Sequence, residues 1–295
     1  MRRNIIIMFI SIIMLLSLVA CGKDEKKVVV ASKPHAEQYI LAEMITQLIE
    51  THTDIQVEQK LGIGGGTANI HPAMEKGEID IYPEYTGTGW LFVLKEELIN
   101  DPEQLYVEVK AKYMEDYNIQ WLDLYGFNNT YALALKKPLA DELGISTYSE
   151  LALKGNGLNF GAEYDFYERE DGYPGLENVY GLEFEDKIEL DIGLKYEAIA
   201  SNEVDVINVF STDGLLKKYE LTVLEDDKNF FPAYQPSTLI RSETLKEYPE
   251  LEEVLNMLAG QISDEEMIQL NYLVEKENKD PKDVAKEFLV EKGLI

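Results

Sequence analysis

The chain has 295 residues, 45% hydrophobic and 28% charged, and its formal net charge is −28 at pH 7. This length allows two ordinary domains with a large buried core, and the composition is that of a folded protein rather than a disordered one. A surface this acidic repels phosphate backbones, which argues against nucleic-acid binding through a basic patch.

The first twenty residues have the pattern of an export signal. Two arginines precede an almost continuous apolar run over residues 5–19, which is short for a transmembrane helix. Cys21 is the single cysteine, so no intramolecular disulfide can form. Its position directly after Leu-x-Ala resembles the lipobox of bacterial lipoproteins. We therefore predict a signal peptide over 1–20, lipidation of Cys21 and a tether over 21–27; the alternative is a cysteine placed there by chance.

The next segment alternates strand and helix patterns. KVVVA (27–31) is typical of a short buried strand, and apolar residues recur at helical spacing over 40–49. IQVEQKL (55–61) precedes a glycine run and a helix, and IDIYPEY then predicts a third strand. This order indicates a parallel α/β sheet, in which ligands bind at the carboxyl ends of the strands.

A second set of strand patterns begins at Tyr131. The patterns are YALAL (131–135), LNFGAE (158–163), KIEL (187–190), VDVINVF (204–210) and LTVLED (221–226), with helical patterns at 147–154, 174–180 and 193–201. Helical patterns at 248–259, 263–276 and 281–291 end the chain. We predict an α/β protein of two lobes, with lobe 1 formed by 28–130 and 233–295 and lobe 2 by 131–232.

The glycine run GIGGGT (62–67) suggests a phosphate-binding loop but does not match one. No Lys-Ser/Thr pair follows it, and Thr67 occupies the position where the dinucleotide-binding motif has its last glycine. A tight turn or an anion site at a helix start are the remaining interpretations, and the turn is favoured.

A metal receptor and an extracellular hydrolase are the rival function classes. The histidines are His35, His52 and His71, and only His35 and His71 are placed to approach one cleft, which is too few ligands for a metal site. No serine lies in G-x-S-x-G, and no cysteine remains for nucleophilic catalysis. We predict no catalytic residue, no cofactor and no bound metal.

Aromatic residues at strand ends provide the functional signal. Tyr85 ends the third strand, Tyr131 begins the second lobe, Phe210 ends VDVINVF, and Tyr234 lies in FFPAY. Each ring alone is more often a core residue. Together, from both lobes and with no basic residue expected nearby, they predict a cage for a soft cation. Each ring face contributes roughly 0.5–2 kcal/mol to binding a desolvated ammonium.

Several blocks resemble the solute-binding lipoproteins of osmoprotectant ABC importers, the receptors for betaine, carnitine and choline. The blocks are SKPHAEQYIL (32–41), GIGGGTANIHPAMEKGEIDIYPEYTGTGW (62–90), NNTYALAL (128–135), VDVINVFSTDG (204–214) and DDKNFFPAYQP (226–236). The resemblance implies a type II periplasmic-binding-protein fold with two crossover strands, hinged near 129–132 and 230–234. It also implies a lipid-anchored extracytoplasmic receptor that docks on an ABC permease and has no catalytic activity.

The resemblance also implies the site residues. It places Tyr85, Tyr131, Phe210 and Tyr234 in the aromatic cage, and it matches Gln38 and Thr88 to residues that bind the ligand's carboxylate. Asn129 is a further predicted polar contact. The family often has tyrosine at the position of Phe210, so one polar contact is in question. A threonine hydroxyl donates to a carboxylate that an aspartate would repel, so Thr88 favours a zwitterion of the glycine betaine or carnitine class over choline.

One segment departs from the usual osmolyte receptors. GAEYDFYEREDGY (161–173) is richer in charge, and related receptors bind ergothioneine, a histidine betaine with an added imidazole-thione. Glu163 or Asp165 would accept the imidazole N–H, and Arg169 would orient the ligand. Alternatively, these three residues link the lobes or face solvent. Ergothioneine is thus the alternative ligand, and a metal-binding lipoprotein is the less favoured alternative.

Overall fold

The computed structural model describes residues 26–216 and 218–295. The predicted signal peptide, the lipidation site Cys21 and most of the predicted tether lie outside these residues. Over the part of the chain that is described, no helix combines the length and the apolar character needed to cross a membrane.

The first sheet has five strands: β1 (Lys27–Ala31), β2 (Gln56–Lys60), β3 (Ile81–Tyr85), β4 (Ile119–Leu124) and β10 (Pro236–Arg241). Their order in the sheet is β2-β1-β3-β10-β4. Strand β1 pairs in parallel with β2 and β3, as predicted. Strand β10 is antiparallel to β3 and β4, because the chain returns to this sheet from the second one.

The second sheet also has five strands, in the order β7-β6-β8-β5-β9. It consists of β5 (Tyr131–Lys136), β6 (Phe160–Ala162), β7 (Lys187–Glu189), β8 (Val206–Phe210) and β9 (Leu221–Val223). Strand β6 is parallel to β7 and β8, whereas β5 is antiparallel to β8 and β9. Each of the five predicted strands of this set is present, and several are shorter than predicted.

Helices cover both sheets. They are α1 (Ala36–His52), α2 (Thr67–Glu75), α3 (Pro102–Tyr117), α4 (Lys137–Leu143), α5 (Tyr148–Lys154), α6 (Tyr164–Glu168), α7 (Tyr173–Tyr180), α8 (Lys195–Ala200), α9 (Ser242–Glu247), α10 (Glu250–Asn256), α11 (Asp264–Glu275) and α12 (Pro281–Glu291). A π-helical turn spans Thr88–Val93. Helix α1 is buried along most of its length because it lies between the first sheet and the C-terminal helices α10–α12.

Two crossovers connect the sheets, one between β4 and β5 and one between β9 and β10. They are joined by hydrogen bonds: the Asn129 N–H donates to the Tyr234 carbonyl at 3.0 Å, and the Tyr234 N–H donates to Asn128 Oδ1 at 2.7 Å. The predicted lobe boundaries, 130/131 and 232/233, fall within these crossovers. We use lobe 1 for the residues around the first sheet and lobe 2 for those around the second, and the boundary positions stay a prediction.

Candidate functional site

A cavity of about 360 Å³ is lined by residues from both lobes and from both crossovers. Nine of the ten ligand-binding residues predicted from the sequence line it: Tyr85, Tyr131, Phe210, Tyr234, Thr88, Asn129, Glu163, Asp165 and Arg169. The structure thus brings them together from the ends of β3, β6 and β8, the start of β5, the π-helical turn and the two crossovers. Contact of each with a ligand stays a prediction.

The tenth residue, Gln38, lies behind the cavity wall. It is fully buried. Its Nε2 donates to the Pro83 carbonyl at 3.0 Å, and its Oε1 accepts from the Lys33 N–H at 3.2 Å. These bonds tie the loop after β1 to β3, so Gln38 supports the wall, and its contact with a ligand carboxylate stays a prediction.

The four rings face this single cavity. The Tyr131 ring centroid lies 5.1 Å from that of Phe210 and 5.4 Å from that of Tyr234, with the Tyr234 ring nearly perpendicular. Tyr85 lines the cavity from lobe 1. A Cβ atom on Gly87 would lie 2.7 Å from Tyr234 Cε1, so the glycine in the EYTGT block lets the Tyr234 ring pack against this loop.

Two of these tyrosines donate to buried carboxylates. The Tyr85 hydroxyl donates to Glu37 Oε1 at 2.6 Å, and the Tyr234 hydroxyl donates to Asp171 Oδ2 at 2.7 Å. Burial, followed by the neighbouring carboxylate, raises the pKa of both phenols well above their ordinary value. Both residues are therefore neutral donors at physiological pH, and the hydrogen bonds fix the direction of their rings.

Two basic residues also line the cavity, so the expectation of no basic residue near the rings is wrong. Lys33 Nζ lies 4.7 Å from the Tyr85 ring centroid and 2.5 Å from the buried carboxylate of Glu84. The Arg169 guanidinium lies 4.8 Å from the Phe92 ring and 5.6 Å from the Tyr131 ring. Each of these cations is paired with a buried carboxylate, Lys33 with Glu84 and Arg169 with Asp171, so the cavity wall combines π-faces with ion pairs.

The charged segment after β6 has both buried and exposed side chains. Glu163 is 7% exposed and accepts hydrogen bonds from Lys195 Nζ at 2.9 Å and from Asn208 Nδ2. Arg169 is 4% exposed and forms a two-bond pair with Asp171. The alternative that these two residues face solvent is therefore wrong. Arg169 does link the lobes through Phe92 of lobe 1, and Asp165 is exposed at the cavity rim.

Among the described residues that line the cavity, two buried polar atoms have no hydrogen-bond partner. They are Asn129 Oδ1 and His35 Nε2. Asn129 Nδ2 donates to Glu37 Oε1 at 2.8 Å, which fixes the amide orientation and leaves its oxygen unpaired. Burial, with smaller contributions from Lys33 and Lys195, lowers the pKa of His35 to about 3, so its ring is neutral. From the sequence, His35 was considered only as a metal ligand, and Lys33 was not predicted to line the cavity.

The glycine run forms a tight turn before α2, as favoured from the sequence. Gly62, Gly65 and Gly66 have φ values of 69°, 75° and 50°, a region that glycine adopts without steric cost. The N–H groups of Gly66 and Ala68 donate to carbonyls within the turn. The run supplies cavity-lining backbone at residues 64–66.

The other histidines do not join His35. His71 packs against Tyr113 and Tyr117 in lobe 1, with ring centroids 5.4 and 4.6 Å away, so its predicted approach to the cleft is wrong. His52 ends α1, with Nε2 2.7 Å from the Leu294 carbonyl oxygen. In residues 26–216 and 218–295, no group of three or more His, Cys, Asp or Glu side chains is arranged to hold a metal ion.

Comparison with known proteins matches residues 26–291 to the OpuAC family, described as the substrate-binding domain of the ABC-type glycine betaine transport system. Over 271 residues the chain is 46% identical to the ergothioneine transport permease/ergothioneine binding protein EgtU of Helicobacter pylori (strain G27). That match covers 92% of this chain and 48% of the relative, so the chain spans about half the length of that protein.

Two further matches cover most of the length of the matched protein. The carnitine transport binding protein OpuCC of Listeria monocytogenes (serotype 1/2a, strain 10403S) is 38% identical over 270 residues, covering 91% of this chain and 87% of the relative. A crystal structure of a glycine betaine/carnitine/choline ABC transporter superposes with a TM-score of 0.73 at 33% identity, covering 90% of this chain and 99% of that one. The solved structures confirm the predicted type II periplasmic-binding-protein fold.

Proposed function

Because the chain belongs to the family of substrate-binding domains of ABC-type glycine betaine transport systems, we propose that it captures a quaternary-ammonium zwitterion between its lobes and presents it to an ABC permease. The family match and the similar relatives confirm the family predicted from the sequence. The observation that carries the proposal is the convergence of Tyr85, Tyr131, Phe210 and Tyr234 on one cavity that also contains Lys33 and Arg169.

The rings would hold the ammonium end of the ligand. A quaternary ammonium has no N–H to donate, so it is recognised by π-faces rather than by hydrogen bonds. At roughly 0.5–2 kcal/mol for each face, four rings supply several kcal/mol of the roughly 8 kcal/mol that micromolar affinity requires. Carboxylate binding must supply the remainder.

The polar wall would hold the carboxylate end. Thr88 is 4% exposed at the cavity and offers a hydroxyl donor, and Lys33 and Arg169 offer positive charge. Charge-assisted hydrogen bonds of this kind are roughly twice as strong as neutral ones. This combination favours a zwitterion of the glycine betaine or carnitine class over choline, which has no carboxylate.

Ergothioneine is the second candidate ligand, and the unpaired Asn129 Oδ1 favours it. Glycine betaine has no hydrogen-bond donor, whereas the imidazole-thione of ergothioneine carries N–H groups that this oxygen, Glu163 or Asp165 would accept. Carnitine offers one hydroxyl donor. The 46% identity to a protein named for ergothioneine transport and binding gives independent support to this candidate.

The receptor is proposed to be anchored by lipid to the outer face of the cell membrane. The support is the sequence pattern alone: a basic start, an apolar run and Cys21 after Leu-x-Ala. On this proposal the protein has no catalytic activity, and its macromolecular partner is the permease.

Isothermal titration of the purified protein with glycine betaine, carnitine and ergothioneine tests the proposal. We expect at least one of them to bind with micromolar or tighter affinity. Ergothioneine binding far more tightly than the two osmolytes would assign the receptor to ergothioneine. Absence of binding by all three compounds would refute the quaternary-ammonium assignment.

A further inference from the structure

Glu37 is a buried carboxylate directly behind the cage. It lies in the first turn of α1 and is 2% exposed. Its Oε1 accepts from the Tyr85 hydroxyl at 2.6 Å and from Asn129 Nδ2 at 2.8 Å, and both of these residues line the ligand cavity. Its Oε2 accepts from the Thr212 hydroxyl at 2.6 Å and from Asn271 Nδ2 at 3.1 Å.

The four partners match an ionised carboxylate, and they oppose the rise in the pKa of Glu37 that burial causes. Both amide nitrogens can only donate, and each carboxylate oxygen receives one of them together with a hydroxyl. The position in the first turn of a seventeen-residue helix also stabilises negative charge. Four uncharged donors therefore hydrogen-bond to this one buried carboxylate.

Glu37 differs from the other buried carboxylates around the cavity in having no cationic partner. Glu84 pairs with Lys33, Asp171 with Arg169, and Glu163 with Lys195. Among the ion pairs of the described residues, none includes Glu37. A buried charge without a counter-charge is costly, and such groups concentrate at functional sites.

We propose that Glu37 is the counter-charge of the bound quaternary ammonium, a positioning residue that acts through Tyr85 without touching the ligand. The inference rests on the proposed function. A quaternary nitrogen has no proton to share with a carboxylate, so direct pairing would gain no hydrogen bond while desolvating both charges. Placing the carboxylate behind a phenol keeps its hydrogen bonds and still directs its field at the cation.

The expected effect is large enough to measure. A full charge on the order of 8 Å away, across one phenol, changes affinity by roughly tenfold or more even at an effective dielectric constant of about 20.

Thr212 belongs to lobe 2 and Glu37 to lobe 1, so the same carboxylate also joins the two lobes. The test must therefore separate charge from shape.

Two substitutions at this position separate them. Glu37→Gln keeps the shape and removes the charge, whereas Glu37→Asp keeps the charge and alters the shape. Titration with ergothioneine and glycine betaine should show a loss of roughly tenfold or more in Glu37→Gln, and a smaller loss in Glu37→Asp. The matched control is Glu43→Gln, which should bind as wild type does. Glu43 is a buried glutamate on the same helix, and it does not line the cavity.

An aspartate variant weaker than the glutamine variant, or a glutamine variant that loses clearly less than about tenfold, would overturn the inference. If wild type binds none of glycine betaine, carnitine and ergothioneine, the proposed function fails instead. Should Glu37→Gln not fold, Tyr85→Phe provides the second test, because it keeps the ring and breaks its bond to Glu37. It should weaken the binding of glycine betaine more than that of 3,3-dimethylbutanoate, an anion with an uncharged tert-butyl group in place of the trimethylammonium. Both affinities are measured by displacement, and equal weakening would overturn the inference.

Discussion

Replacing Tyr131 separates cation recognition from apolar packing. Its ring contacts those of Phe210 and Tyr234 and lies at the start of β5, where the first crossover enters lobe 2. Tyr131→Leu keeps apolar volume but removes the π-face, whereas Tyr131→Phe keeps the face. The lost face is worth roughly 0.5–2 kcal/mol, which corresponds to an affinity loss of roughly two- to thirtyfold.

Isothermal titration with glycine betaine and with ergothioneine measures this loss, and circular dichroism checks that each variant folds. We expect Tyr131→Phe to bind within twofold of wild type and Tyr131→Leu to lose affinity within the stated range. Equal affinity of the Leu and Phe variants would show that the ring acts only as apolar packing, and the cation–π argument would then be wrong.

The other predictions concern the remaining tyrosines and pH. Tyr85→Ala and Tyr234→Ala should each abolish measurable binding in titrations while leaving the circular dichroism spectrum unchanged; retained affinity in both would refute the cage. His35 stays neutral in the folded state, with its pKa lowered by burial to about 3 from an ordinary value of 6.5. Between these pH values the unfolded state therefore binds more protons, and the free energy of unfolding should fall on acidification by up to about 1.4 kcal/mol per pH unit. Urea titrations between pH 7 and pH 4 measure how the free energy of unfolding changes with pH. The dependence should be steeper in wild type than in His35→Gln, and equal slopes would contradict a neutral, buried His35.

Local sequence patterns predicted β1, β2 and β3 of the first sheet and all five strands of the second, but they did not predict β4 or β10. Short apolar runs such as VVVA and VINVF form buried strands because their side chains fill both faces of a covered sheet. Helix α12 begins at the predicted Pro281, after the Asp280 side chain that accepts from the Lys282 N–H. The antiparallel insertion of β10 was not predicted, because it depends on how the chain returns from lobe 2 rather than on any local pattern.

The ring positions were also predictable, whereas the charges behind them were not. Tyr85 and Phe210 end strands, Tyr131 begins one, and Tyr234 lies just before β10, so each ring is placed at an end of a strand by local pattern. Lys33 and Glu84 meet across 51 positions of sequence, and Glu37 receives its donors from positions 85, 129, 212 and 271. Such pairings depend on tertiary packing, and a single sequence with many acidic residues gives no means of choosing among them.

Mass spectrometry of the small molecules released from the purified protein on denaturation tests the central claim most directly. We predict a compound that carries both a permanent quaternary ammonium group and a carboxylate. Release of a ligand without a permanent positive charge, or a stoichiometric metal ion found by elemental analysis, would contradict the assignment.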